Sequence, residues 1–213
     1  MKDVQIEISQ EVLTLETIEP SDFVYHHFGS INLINGETDQ STEIGTVEFY
    51  YANLGEAMNC GVHAYEVFDA KAQSLADIYD AIFDEGGEFR DALSRVTGDI
   101  SESNVLILSS LEIVPKWRRK ELGLLVLQSI MRRFGVGCSL VVLKPFPLQF
   151  EGVFGIRSGD IDNPQLRGEI QSATEKLQHY YSRLGFKAVP NSNILALNLD
   201  KIQSTIPIKD DWM

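Results

Sequence analysis

Apolar and polar residues alternate along two early stretches: Val4, Ile6 and Ile8, and Val47, Phe49 and Tyr51 behind Gly45. A period of two is what a strand with one buried face requires, so both read as half-buried strands. The stretch from Phe23 to Leu33 is also strand-prone, though less regular. The period then changes. Leu75, Ile78, Tyr79, Ile82 and Phe83 recur at helical spacing, which predicts an amphipathic helix with Ser74 as its N-cap. Gly86-Gly87 breaks that helix, and a shorter amphipathic piece carries Phe89, Leu93 and Val96.

From Val105 to Ile113 the chain is nearly continuously apolar, interrupted by Ser109, Ser110 and Glu112, as befits a strand inside a sheet. Beyond Pro115, Leu122, Leu125, Val126, Ser129 and Ile130 mark one helical face, with Gln128 and Arg132 opposite. Gly135-Val136-Gly137 closes this helix, and Cys138 to Leu143 is a second apolar strand. Strand, helix and strand in this order predict a βαβ unit, hence a parallel pair with a right-handed crossover. Pro145, Pro147 and Pro164, with Gly152, Gly155 and Gly159 between them, predict a long irregular excursion over 145–166. A further helix carries Ile170, Ala173, Leu177, Tyr181 and Leu184 on one stripe and ends at Gly185, placed for a left-handed C-cap. Phe186 to Val189 and Ile194 to Leu199 read as closing strands around an Asn-rich turn.

Composition narrows the function classes. A chain of 213 residues suits one domain with its own core, or one domain plus an appendage. The net charge of −13 argues against a general nucleic-acid binder, which needs clustered Lys and Arg over a broad face. The same acidity suits cationic partners such as amines. Cys60 and Cys138 stand far apart with no CxxC, so a reducing compartment is expected. No apolar leader opens the sequence and no apolar run reaches membrane-spanning length, so the expectation is a cytoplasmic protein with no membrane partner.

Against that acidic background, Lys116-Trp117-Arg118-Arg119-Lys120 places four of 18 basic residues within five positions. They fall between a buried strand and the start of a helix. Free N–H groups and the positive end of the helix dipole favour an anion there, and the cations reinforce it. A phosphate-bearing ligand is the natural occupant; the other reading is a solvated basic turn that balances local acidity. His26-His27, Cys60 and His63 match no familiar zinc spacing, and no metal is expected. The sequence has neither a Gly-x-Ser-x-Gly elbow nor a Walker loop.

The run Leu111-Glu112-Ile113-Val114-Pro115-Lys116-Trp117-Arg118-Arg119-Lys120-Glu121-Leu122-Gly123 resembles the acyl-CoA motif of GNAT N-acetyltransferases. In that motif a strand ends in an apolar-x-Pro segment and an Arg/Gln-x-x-Gly-x-Gly/Ala turn opens a helix. Arg118 fills the Arg/Gln position and Gly123 that of the last glycine. Downstream, Tyr181-Ser182-Arg183-Leu184-Gly185-Phe186 resembles the family's Tyr-x-x-x-Gly-Phe. The resemblance covers roughly 104–199. It implies an α/β (α+β) fold, GNAT-like, with a mixed, mostly antiparallel central sheet that holds a parallel βαβ unit and is flanked by helices. It also implies one domain over 1–213: an N-terminal half with acceptor-side elements (1–103), an acyl-CoA-binding half (104–199) and a C-terminal tail (200–213).

The implied activity is transfer of an acetyl group from acetyl-CoA to a primary amine of a small molecule or protein. Leu111, Ile113 and Val114 would hold the pantetheine arm, and a strand N–H near Ile113 would stabilise the oxyanion. Arg118 and the amides of Arg119, Lys120, Glu121, Leu122, Gly123 and Leu124 would hold the pyrophosphate. Tyr181, with Tyr180 as the alternative, would protonate the departing thiolate. Glu112, which interrupts the apolar strand beside that site, is the candidate general base; a solvent-facing Glu112 is the other reading. Glu121 stands where the motif's first glycine would be, and Thr174 where the family often has Asn. Those departures motivate a second expectation, a non-catalytic GNAT-like module that binds acyl-CoA or acts by interaction.

Overall fold

The computed structural model describes residues 2–10, 18–150 and 163–201. Gly152, Gly155 and Gly159 of the expected excursion, and nearly all of the expected tail, lie outside the described residues. The alternating stretches form β1 (Lys2–Gln10), β2 (Val24–Asn35) and β3 (Gln40–Ala52), joined as an antiparallel meander. The β2–β3 turn is tight because Asp39 takes a left-handed conformation (φ 51°), which Asp tolerates better than most residues. β4 (Asn104–Ile113) runs antiparallel to β3. Gly45 lies close against β4, and a Cβ there would run into the Glu112 carbonyl oxygen.

The expected βαβ unit is present. β4 is followed by α5 (Leu122–Phe134) and β5 (Cys138–Leu143), and β4 and β5 are parallel. Before β4 the chain forms α1 (Leu54–Asn59), α2 (Ala64–Asp69), α3 (Gln73–Ile82) and α4 (Asp91–Thr97). After β5 come α6 (Pro164–Ser182), β6 (Lys187–Ala188) and β7 (Leu195–Asn198), with β7 antiparallel to β5. The sheet order is β1-β2-β3-β4-β5-β7-β6, mostly antiparallel with one parallel pair. The fold class is therefore the mixed, helix-flanked sheet expected.

Each face of the sheet carries its own core. On one side α1–α4 bury Leu54, Phe68, Leu75, Ile82 and Leu93 against Ala52, Val105, Ile107, Leu140 and Val142. On the other, α5 and α6 bury Leu124, Leu127, Ile130 and Tyr181 against Val47, Phe49, Leu106, Val141 and Leu143. β5 is buried along its whole length because helices cover both faces.

Where local structure departs from the sequence pattern, the causes are simple. Ala72, not Ser74, is the N-cap of α3, and it makes no side-chain cap bond; Ser74 lies inside the first turn. α1 and α2 are six residues each, too short to show a helical period, and are set by caps at Asn53 and His63. The buried face of α5 is rotated from the expected one: Leu127 and Met131 are inside, while Ser129 is exposed and Leu125 half-buried. Packing on both β4 and β5 widens the apolar stripe beyond a single i, i+3, i+4 series. The excursion expected over 145–166 already becomes helix at Pro164, where Asn163 caps the first turn. Gly185 is left-handed as expected (φ 97°), two residues beyond the cap residue Arg183. Among the described residues no helix is long and apolar enough to cross a membrane.

Candidate functional site

β4 is longer than its parallel partner. It pairs with β5 only from Asn104 to Leu108, where Leu108 faces Leu143, the last residue of β5. It stays paired with β3 as far as Ile113. Among the described residues the β4 edge from Ser109 to Ile113 turned towards β5 thus has no strand partner, and Pro145, just past β5, has no N–H to offer it. An open edge of this kind can hydrogen-bond an extended, amide-bearing ligand by strand addition. Leu111 and Ile113 are half-buried on the α5 side, and Val114 is exposed.

The edge leads directly into the basic turn. Pro115–Trp117 form one turn of 3-10 helix, Arg118 is extended, and both Arg119 (φ 64°) and Glu121 (φ 63°) are left-handed. Two such non-glycine residues in three are uncommon, and each stores about 1 kcal/mol or more. They hold the chain so that it enters α5 through Glu121 as N-cap. Among the described residues the N–H groups of Arg119, Lys120, Leu122 and Gly123 have no acceptor. Those of Leu122 and Gly123 belong to the first turn of α5, whose dipole adds positive potential. Lys120 Nζ lies 4.7 Å from the centroid of the Trp117 ring and Lys116 Nζ 5.8 Å, so Trp117 gathers both cations at the turn. Arg118 points back along the strand: its Nε donates to the Ile113 carbonyl at 2.6 Å, and its Nη2 lies 3.7 Å from Glu112.

The carboxylate of Glu121 is neutralised from the C-cap of α6. Arg183 Nη2 lies 2.7 Å from Oε1, a pairing between residues 62 positions apart. One turn earlier on α6, the Tyr180 hydroxyl accepts the Leu124 N–H at 3.1 Å. Gly123 leaves room for it: a Cβ there would lie 2.9 Å from that hydroxyl oxygen, so the Tyr180 side chain would have to shift. Burial holds the Tyr180 hydroxyl above the ordinary tyrosine range, against the opposing pull of its bond to Leu124. Of the two candidate tyrosines, Tyr180 is the one brought to the turn. Tyr181 packs into the α5-side core against Tyr180 and Phe186, and burial raises it further. Among the described residues its hydroxyl has no hydrogen-bond partner. Glu112 is 57% exposed in its side chain and carries the weak pairing to Arg118.

The sequence pointed to no chemistry on the opposite face of β4, yet a polar cluster stands there. Glu48 on β3 lies directly across from Ser110, and β4 carries a bulge at Ser109 between that pair and Phe49–Leu108. His26 Nε2, on β2, lies 2.8 Å from Glu48 Oε1, and the Tyr50 hydroxyl donates to the same oxygen at 3.3 Å. Ser109 and Ser110 reach Oε2 at 3.3 and 3.5 Å. The alternation of Val47, Phe49 and Tyr51 already placed Glu48 and Tyr50 on the other face, which was the available signal. A separate cavity of about 510 Å³ lies at the C-terminal end of α5, lined by Ile6, Ile8, His27, Ile130 and Phe134. It is at the far end of the helix from the basic turn. Among the described residues no three His, Cys, Asp or Glu side chains converge as a metal site.

No family model matches this chain, and no curated protein does. Among solved structures, a chain in the crystal structure of the KacTA–DNA complex is 13% identical, with a TM-score of 0.41 over 93% of this chain and 96% of that one. A likeness at that level carries no argument about this protein.

Proposed function

We propose that the protein is a cytoplasmic N-acetyltransferase of GNAT type, moving an acetyl group from acetyl-CoA to a primary amine. The observation that carries this reading is the edge of β4 from Ser109 to Ile113, which has no strand partner on the β5 side among the described residues and runs straight into a cationic turn at a helix N-terminus. Acetyl-CoA has the matching order of parts: a thioester, an arm with two amides, then a pyrophosphate. The edge suits the arm, and the free N–H groups of Arg119, Lys120, Leu122 and Gly123 suit the pyrophosphate. Lys116, Arg119 and Lys120 supply charge around it. The pairing of Glu121 with Arg183 supports the same reading, because it removes the repulsion an unpaired carboxylate would exert there. Tyr180 and Tyr181 are the candidates to protonate the thiolate that leaves.

Two measurements test the proposal. Calorimetry with acetyl-CoA should give saturable binding that weakens with salt. Thiol release should then appear with at least one of spermidine, a lysine-containing peptide and a peptide with a free α-amino group. Absence of both binding and turnover overturns the proposal. Binding without turnover on any of these amines would move the chain to the second reading, a non-catalytic acyl-CoA-binding module.

A further inference from the structure

We infer that Glu48, held by His26 beside the β4 bulge, is the site that receives the acceptor's ammonium group and takes its proton. The inference rests on the acyltransferase reading for its chemistry, but the site itself is argued from the sheet. Glu48 and Ser110 are a cross-strand pair, two residues beyond the last contact between β4 and β5 at Leu108. Their side chains therefore stand beside the open edge, on the face away from α5. A donor seated at the turn and an acceptor seated on Glu48 would approach the same edge from opposite sides.

The carboxylate is built as a receptor rather than as a buried structural pair. Its side chain remains 35% exposed, although His26, Tyr50, Ser109 and Ser110 all reach it. The short contact at 2.8 Å to His26 fixes Oε1. The serine contacts to Oε2 are long, so an ammonium can replace them with shorter charge-assisted bonds. The walls are aromatic: His26 stacks on Tyr50 at 4.6 Å, and Phe28 follows at 6.0 Å from His26 with half of its surface in solvent. A carboxylate between aromatic faces selects an organic cation over a metal ion or a neutral alcohol. The substrate class is therefore a primary ammonium on an apolar stem.

Glu48 takes one proton from the ammonium, leaving a neutral amine whose lone pair forms the C–N bond to the thioester carbonyl carbon. The C–S bond breaks, and the nitrogen's second proton ends on the departing thiolate. The products are the amide, free CoA thiol and one proton on Glu48, which passes to solvent. His26 acts through Glu48 as a positioning residue.

The test uses the full chain. Glu48→Gln should lower kcat/KM for the accepted amine by about 10²-fold, with the affinity for acetyl-CoA changed less than twofold. His26→Phe should lower kcat, and His26→Gln, which can still donate to Oε1, should recover part of it. Independently of turnover, n-butylammonium should shift the ring resonances of His26, assigned by loss in His26→Gln. n-Butanol should not shift them, and Glu48→Gln should abolish the effect. Turnover with Glu48→Gln within threefold of wild type overturns this site and leaves the acyltransferase intact. Butylammonium shifts without any turnover keep the ammonium site and remove the acyltransfer step. A His26 ring that ignores butylammonium overturns the inference.

Discussion

Replacing Glu121 by glycine should tighten acetyl-CoA binding while leaving the fold almost equally stable. Three terms decide the stability. Glu121 sits at φ 63°, so glycine relieves about 1 kcal/mol of left-handed strain. Glycine also loosens the unfolded chain, which takes back roughly 0.5–1 kcal/mol. The ion pair with Arg183 disappears, but Arg183 is 42% exposed and Glu121 16%, so the loss is about 1 kcal/mol at most. The sum lies within about 1 kcal/mol of wild type. Binding changes differently. The substitution removes a negative charge from the helix N-terminus and frees the Arg183 guanidinium to meet a phosphate. A partly exposed charge-assisted contact of about 0.7–1.4 kcal/mol corresponds to roughly three- to tenfold in affinity. The gain should shrink as salt rises. Calorimetry at two ionic strengths reads the affinity, and urea unfolding reads the stability. Glu121→Ala is the control: it removes the charge but keeps the strain, so it should bind like the glycine variant and be less stable. If both variants fold yet bind acetyl-CoA no more tightly than wild type, the pyrophosphate is not at this turn.

Three further outcomes follow from the geometry. Gly123→Ala should displace Tyr180 from the Leu124 N–H, destabilise by about 1–3 kcal/mol and weaken acetyl-CoA binding; adding Tyr180→Phe should recover part of the stability, so the double-mutant cycle in urea is non-additive. His27 is buried, its Nδ1 has no hydrogen-bond partner among the described residues, and burial, then neighbouring His26, holds its pKa below the ordinary value near 6.5. Above that value both states are neutral at this residue; below it the unfolded chain protonates first, so stability falls as pH drops from about 7 to 5. His27→Phe, which keeps the stacking on Phe49 and Phe134, should flatten that part of the unfolding profile. Cys60 is exposed, whereas burial pushes the Cys138 thiol up to about 12; a disulfide reagent should therefore titrate one thiol in the folded protein and two in denaturant, which also sets the background for thiol-release assays.

Much of the fold was legible because single strands and long helices announce themselves by period. β4, α5, β5 and α6 each carry enough apolar residues to show theirs, and the basic turn between β4 and α5 is contiguous in sequence. What the sequence hid was either too short or too dispersed. α1 and α2 span six residues each, so neither completes two turns. The Glu121–Arg183 pair joins α5 to α6 across the whole βαβ unit, and no local pattern links two residues 62 apart.

Glu48 was hidden for a sharper reason. His26, Glu48 and Ser110 lie on three strands, and they meet only in one register. Leu106 and Leu108 face α5, so strict alternation would send Ser110 to the same face, under the helix. The extra residue at Ser109 resets the count: Leu111 and Ile113 join the α5 side, and Ser110 turns out beside Glu48. A one-residue slip flips every side chain beyond it. The bulge falls one residue past Leu108, where β4 loses β5, so the same place opens the strand edge and delivers the serines to the carboxylate. In the sequence that place shows only as Ser109-Ser110, two polar residues in an apolar run.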